Sequence, residues 1–221
     1  MSVDYDSLAF ERLGHASVRI ETDDGTVVYV DPWSDVLEGE PGDGDVVFVT
    51  HDDFDHYDPD AIEAVAGKDA TVAVYEDVDT ADLTFDVVDL PYEGEVTVDG
   101  IDVRTVPAYN DPGGDHVDDD GEPFHADGEV IGLILDLEGT TVYVPSDTDF
   151  LPHHEGIRAD VFVPPIGGHF TMDRHEAADF ARSVEPELVL PVHYDTFDPI
   201  ETDPEAFASD VEDAGIRVEL F

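Results

Sequence analysis

The chain has 221 residues, no cysteine and one tryptophan, and its 57 acidic residues stand against 8 basic ones. The length suits one domain with a substantial core, and a hydrophobic fraction of 41% is too high for a disordered chain. The lack of cysteine excludes disulfides and thiolate metal sites. No apolar run approaches the roughly 18 residues that cross a bilayer, and residues 1–6 lack the basic and apolar regions of a signal peptide. We therefore expect a cytoplasmic protein without a membrane partner.

The formal net charge of −49 is the most unusual feature of the composition. Self-repulsion of this size opposes a compact state at ordinary ionic strength, whereas molar salt shortens the Debye length to about 3 Å and screens it. Because the acidic residues are spread along the whole chain, they indicate the salt-rich cytosol of a halophile rather than a basic partner. Lys68 is the only lysine, so no basic patch is available and we expect no nucleic-acid partner.

The first predicted strands cover residues 6–12, 17–22, 26–31 and 45–50. Asp24-Gly25 and Asp99-Gly100 are typical hairpin turns. Later apolar runs with many β-branched residues predict strands at 71–75, 84–90, 95–98, 101–107, 130–137, 140–145, 161–165, 187–192 and 216–220.

Three helices are predicted, at 58–66, 172–184 and 204–214. Pro59 suits the first turn of the first helix, Thr171 or Asp173 is suited to cap the second, and Gly215 ends the third. The polar stretch 109–129 is long for a loop inside a compact domain, which indicates function. This layout predicts one α/β domain over residues 1–221, with two sheets covered by helices.

The segment His51-Asp52-Asp53-Phe54-Asp55-His56 carries the strongest chemical signal. It follows the apolar run 46–49 directly. Adjacent Asp55 and His56 cannot point at one atom from a strand or a helix, but a loop at a strand end can wrap them around metal ions. An acidic turn would account for the aspartates but not for two of only ten histidines at the end of a buried strand.

Four other apolar runs end in polar groups of the same kind. They deliver Asp31-Pro32, Ser146-Asp147-Thr148-Asp149, Ile166-Gly167-Gly168-His169 and His193-Tyr194-Asp195. Each alone is explained by a turn or a packed side chain. Together they predict several strands that end at one edge, where sites of α/β sheets assemble.

The ordered set of motifs resembles the metallo-β-lactamase superfamily. It comprises Gly14-His15-Ala16-Ser17, Asp31-Pro32, His51-x-Asp53-x-Asp55-His56, Ser146-Asp147-Thr148-Asp149 and Val192-His193-Tyr194. Residues 165–173, 193–200 and 203–207 are similar to a branch of prokaryotic metal-dependent hydrolases related to ascorbate-6-phosphate lactonase. The resemblance covers essentially the whole chain and implies an αββα sandwich of two mixed β-sheets, with the metal site at one edge.

The resemblance implies two metal positions that share Asp147. One would use Asp55, His56 and His193. The other would use His51, a second histidine two residues later and a third in the middle of the chain. Here the second histidine is replaced by Asp53.

The mid-chain histidine is expected near Asn110, and His125 is our preferred replacement. His116 is the alternative and is more typical of a surface residue. The resemblance implies one or two Zn²⁺ ions. At the position of His51 and Asp53, Mn²⁺ or another hard ion is the alternative, because carboxylates suit harder ions than imidazoles do.

Further roles follow from the resemblance. Asp55 would hold or accept a proton from the metal-activated water, and Asp31 would orient a ligand histidine. His169 would contact substrate or protonate the leaving group, Tyr194 would line the mouth, and His15 would line the pocket or pack as a structural residue. His153, His154 and His175 are predicted to be exposed, so replacing His154 is expected to have no effect.

The implied function is hydrolysis of a small ester, lactone or phosphoester, with a small molecule as the only expected partner. The second hypothesis is a metal-binding sensor or regulatory protein of the same fold without catalysis, which Asp53 and Asn110 favour. A nuclease ranks last, because the chain has almost no basic residues. The substrate and the oligomeric state cannot be read from the sequence.

Overall fold

The first half of the chain forms one seven-stranded sheet in the computed structural model, which describes residues 2–221. The strands lie in chain order; β1 to β4 are antiparallel and β4 to β7 are parallel. Valine-rich sequences suit these half-buried and fully buried strands. Their bounds are β1 Ser2–Tyr5, β2 Leu8–Gly14, β3 Ser17–Thr22, β4 Val27–Val30, β5 Gly44–Val49, β6 Ala66–Tyr75 and β7 Val87–Leu90.

The second half forms another seven-stranded sheet with the same plan. Strands β8 to β11 are antiparallel and β11 to β14 are parallel. The chain therefore passes from one sheet to the other once, between β7 and β8. The bounds are β8 Gly94–Val98, β9 Ile101–Ala108, β10 Val130–Leu137, β11 Thr140–Val144, β12 Val161–Phe162, β13 Leu188–Val189 and β14 Arg217–Val218.

Two apolar layers hold the sheets and helices together. The inner layer joins the sheets, with side chains such as Phe48 of β5 and Leu133 of β10. The outer layer packs the second sheet against α2 (Arg174–Val184) and α3 (Pro204–Glu212), through Phe180 and Phe207 among others. Helix α1 (Pro59–Val65) contributes Ile62 and Val65 to the inner cluster. The predicted fold of two mixed sheets with helices is confirmed.

The helix termini follow the sequence signals. Asp58, Asp173 and Asp203 each accept hydrogen bonds from backbone amides of the first turn, which satisfies donors that a helix start leaves unpaired. Asp173, rather than Thr171, is therefore the cap of α2. Asp99 and Gly100 both have positive φ, at 49° and 91°, as the predicted hairpin between β8 and β9 requires.

Some boundaries differ from the prediction. The predicted strand 6–12 begins later, as β2 at Leu8, because Asp6, with φ 50°, lies in the turn that joins β1 to β2. The last three strands contain only two residues each, since the neighbouring backbone pairs over that length alone. Within residues 2–221, the structure contains no helix that is both long enough and apolar enough to cross a membrane.

Candidate metal centre

The predicted ligands meet at one edge of the two sheets. Asp31 follows β4 and His51 follows β5 in the first sheet, while Asp147 follows β11 and His193 follows β13 in the second. These are C-terminal ends of parallel strands, where loops can bring side chains together. His125 enters from the polar loop 109–129.

One group of ligand atoms belongs to Asp55, His56 and His193. Their nitrogen and oxygen atoms lie within 4.8 Å of one another, together with His15. Asp147 closes this group, with its Oδ2 3.1 Å from Nε2 of His193 and its Oδ1 3.5 Å from Nε2 of His56. All five side chains are buried.

A second group contains His51, Asp53 and His125, also within 4.8 Å. Oδ2 of Asp53 lies 3.2 Å from Nε2 of His125 and 3.7 Å from Nε2 of His51. Oδ2 of Asp147 is 3.6 Å from Nε2 of His125, so Asp147 lies between the two groups. The Asp53 side chain is 51% exposed, which opens this group to solvent.

The unpartnered atoms of the cluster show that the residues fit a bound metal. Within the described chain, seven buried side-chain atoms lack a hydrogen-bond partner, and five of them are Nε2 of His51, Nε2 of His56, Nδ1 of His125, Oδ1 of Asp147 and Nδ1 of His193. An unpaired buried polar atom costs about 1–3 kcal/mol, so the atoms of His51, His56 and Asp147, which form one group of possible ligands, need a compensating partner. Nitrogen and carboxylate donors suit divalent cations.

Asp31 and Thr50 orient two of the ligand histidines. Nδ1 of His56 lies 2.9 Å from Oδ2 of Asp31, and that oxygen also accepts the hydroxyl of Thr50 at 2.8 Å. Oγ1 of Thr50 is 2.9 Å from Nδ1 of His51. Since carboxylate oxygens only accept, Nδ1 of His56 carries a proton, so in the neutral ring that a metal requires the lone pair belongs to Nε2, which faces the cluster. Because the hydroxyl proton of Thr50 goes to Asp31, Oγ1 of Thr50 accepts from Nδ1 of His51 and leaves Nε2 of that ring without a proton in the same way.

Asn110 holds the backbone of His125 at two points. The amide nitrogen of Asn110 donates to the carbonyl of His125, and its Oδ1 accepts from the amide nitrogen of His125, both at 2.9 Å. Its Nδ2 donates to Oδ1 of Asp149 and to the carbonyl of Phe170, both at 3.0 Å. Asn110 is thus fully hydrogen-bonded, and His125, not Asn110, reaches the cluster.

The chain is similar to known metal-dependent hydrolases over most of its length. The family model of the beta-lactamase superfamily domain matches residues 10–193. A metal-dependent hydrolase of Methanopyrus kandleri is 35% identical and covers 94% of this chain and 93% of its own length. One of Thermococcus kodakarensis is 34% identical, covering 88% of each chain.

The chain belongs to the metallo-β-lactamase superfamily. A solved structure of a metallo hydrolase from Ignicoccus hospitalis aligns with a TM-score of 0.79 and 28% identity over 97% of this chain and 94% of that one. The prediction of a hydrolase enzyme is confirmed by these relatives.

Neighbouring charges shift the pKa values of the ligand side chains. Burial alone would lower the pKa of His56, but Asp147 and Asp31 raise it well above its ordinary value. Burial would raise the pKa of Asp147, but His193 and His56 hold it well below its ordinary value. Hydrogen bonds to His125 and His51 likewise depress the pKa of Asp53. These carboxylates are therefore ionised, as metal ligands must be.

His15 contacts Asp55 rather than an open pocket. Its Nε2 lies 2.9 Å from Oδ2 of Asp55, and its Nδ1 lies 3.0 Å from the hydroxyl of Thr196. Burial lowers the pKa of His15 to about 4, so the ring is neutral at pH 7. We infer that it fixes the orientation of Asp55.

Strained backbone concentrates at the same edge. His15, Asp31, Ser146 and His193 have φ between 46° and 60°, a region that costs non-glycine residues about 1–2 kcal/mol. Such conformations persist where surrounding contacts hold them, and functional sites are their usual location.

The structure corrects two predicted positions. Tyr194 is 6% exposed and lines neither cavity beside the metal centre; its ring centroid lies 3.9 Å from the guanidinium carbon of Arg12. His154 is fully buried: it stacks on Phe180 and its Nε2 lies 3.0 Å from the carbonyl of Pro107. Burial lowers its pKa to about 4.

The other histidines lie outside the two ligand groups. His169 is exposed at the rim, with its ring against Phe124 and Phe170. His116 is 2.6 Å from Asp149 and does not reach the cluster. His153 and His175 are exposed, as predicted. No sequence pattern marks the phenylalanines near the site, because they come from separate loops.

Proposed function

We propose that the chain hydrolyses a small ester, lactone or phosphoester with a metal-activated water. The observation that carries this proposal is the convergence of two ligand groups on Asp147, with unpartnered nitrogen atoms of His51 and His56 directed at the same space. The relatives' hydrolase names support the same reaction class.

The ligand sets support Zn²⁺ at the position of Asp55, His56 and His193. Each position has two imidazoles and two carboxylates when Asp147 is counted in both, a donor set that suits Zn²⁺ and also Mn²⁺ or another hard ion, which is the alternative at the position of His51 and Asp53. A divalent ion bound here would lower the pKa of its water from 15.7 to about 7 and polarise the substrate oxygen.

The protein side chains supply positioning and proton transfer. Asp55, held by His15 at 2.9 Å, would hold or accept a proton of the attacking water. Asp31 and Thr50 keep two imidazoles in the tautomer that presents Nε2 to the cluster. His169 at the rim would protonate the leaving group. A single domain over residues 1–221, working in a salt-rich cytoplasm, fits the composition.

Metal analysis and a substrate panel test this proposal. The protein, purified at high salt, is assayed for bound metal by mass spectrometry and for hydrolysis of lactones, carboxylic esters and phosphodiesters. We expect His193→Ala to lose most bound metal and all hydrolysis. His175→Ala is the matched control, since that side chain is 65% exposed, and it should retain both. Full metal content in His193→Ala would overturn the ligand assignment, and metal without any hydrolysis would favour a binding protein.

A further inference from the structure

Four phenylalanines surround a cavity beside the Asp55 group. Phe54, Phe124, Phe170 and Phe197 line a space of about 230 Å³, and the remaining wall consists of metal-centre residues. The side chains come from four separate loops, so the cavity exists only in the folded chain. It opens directly onto Asp55, Asp147 and His193.

The aromatic wall supports itself through ring contacts. The rings of Phe124 and Phe170 have centroids 4.9 Å apart at 77°, and those of Phe170 and Phe197 are 6.3 Å apart at 65°. Phe54 packs edge-on against Trp33 at 5.8 Å. Such edge-to-face contacts are favourable aromatic geometries.

Phe54 is also the exposed member of this wall. It is 70% exposed and is the one large apolar side chain in the described residues with such exposure. It stands between Asp53 and Asp55. An apolar ligand in the cavity would cover part of its surface, and burial of apolar surface is favourable in water.

Positive charge is missing from both sides of the centre. A second cavity of about 300 Å³ adjoins the His51 group and is lined by Asp52, Asp77 and Glu129 among others. Over the described chain, neither cavity wall contains a lysine or an arginine. Asp53 adds a further carboxylate where the superfamily pattern has an imidazole. Away from the metal ligands, an anionic group would therefore meet carboxylates on the cavity walls and no lysine or arginine to pair with.

We propose that the phenylalanine cavity binds an uncharged apolar group, up to the size of a phenyl ring, that adjoins the carbonyl of an ester or lactone substrate. A cavity of about 150 Å³ is sufficient for benzene, so the present volume accommodates a phenyl group and a short linker. This assignment rests on the proposed function and narrows it to uncharged acyl substrates. In the reaction, a bond forms between the water oxygen and the acyl carbon, the acyl–alkoxy bond breaks, and a water proton passes to the leaving alcohol.

Two esters with the same scissile bond test the selectivity. Methyl phenylacetate and the monomethyl ester of malonic acid, which is an anion at pH 7, are compared with metal-loaded protein at the lowest salt that keeps it folded. We expect kcat/KM at least about 100-fold higher for methyl phenylacetate. In Phe54→Ala and Phe197→Ala that value should fall about 10-fold, the factor that corresponds to about 1.4 kcal/mol, and kcat/KM for methyl acetate should fall by a clearly smaller factor.

Phe85→Ala is the matched control, because Phe85 is partly buried against the inner core and lies outside both cavities. Binding is measured without turnover through Trp33, the only tryptophan. We expect 2-phenylacetamide to change its fluorescence with saturation and acetamide to have no effect at equal concentration. Equal response to both amides, or hydrolysis without preference for the phenyl ester, would overturn the cavity assignment alone. Absence of hydrolysis across the whole ester, lactone and phosphoester panel would instead overturn the proposed function.

Discussion

Replacing Asn110 with alanine tests how the structure positions His125. The change removes the oxygen that accepts the His125 amide and the nitrogen that donates to Asp149 and Phe170. The His125 amide is buried, and an unpaired buried donor costs about 1–3 kcal/mol. With the Phe170 carbonyl also losing its partner, we expect the free energy of unfolding of the metal-free protein to fall by about 2–4 kcal/mol.

The consequence for metal binding is separable from stability. Outer contacts that hold a ligand histidine contribute about 10–100-fold to metal affinity. Titration of folded Asn110→Ala against a competing chelator should show a loss of that size at the position of His51, Asp53 and His125. Asn110→Asp keeps the oxygen that faces His125, so it should lose stability but less affinity. Unchanged affinity in Asn110→Ala would refute a positioning role.

Three other changes address the surroundings of the centre. Asp31→Asn places an N–H where the carboxylate accepts from Nδ1 of His56, so metal affinity measured by chelator competition should fall about 10–100-fold. His154→Phe should change the pH dependence of unfolding, because the pKa of His154 is about 4 in the folded protein and about 6.5 in the unfolded chain. As pH falls from 6.5 to 4, the free energy of unfolding of the parent protein should fall by about 3 kcal/mol relative to that of the variant. The same pH dependence in both proteins would contradict this. A Cβ at Gly167 would clash with the backbone carbonyl oxygen of His193, so Gly167→Ala should lower both the melting temperature and the metal content, whereas an unchanged variant would show that this contact relaxes freely.

The site edge was predictable because its signals are local. Apolar runs that end in His51, Asp147 or His193 can be recognised without the fold, and the strands carrying them form where the apolar pattern places them. Capping aspartates such as Asp58 also act within four residues of themselves.

Features that depend on distant partners were not predictable. His154 looks like a surface residue in sequence, yet Phe180 and the Pro107 carbonyl give its ring an apolar face and a hydrogen bond. Tyr194 follows a ligand histidine but turns towards Arg12, which lies 182 residues earlier. The phenylalanine cavity likewise has no sequence pattern, since its four rings meet only through loop packing.

Because the chain crosses between the sheets only once, between β7 and β8, the metal centre joins the two halves of the chain. Each ligand group draws side chains from both halves of the chain: His51 and Asp53 face His125, and Asp55 and His56 face His193, while Asp147 belongs to the second half. An ion held there would link the two sheets, each of which is formed by one half of the chain. The distances between the catalytic side chains therefore depend on how closely the two sheets pack. Removal of a methyl group from Leu133 in the inner core would change those distances, although Leu133 is not itself a ligand.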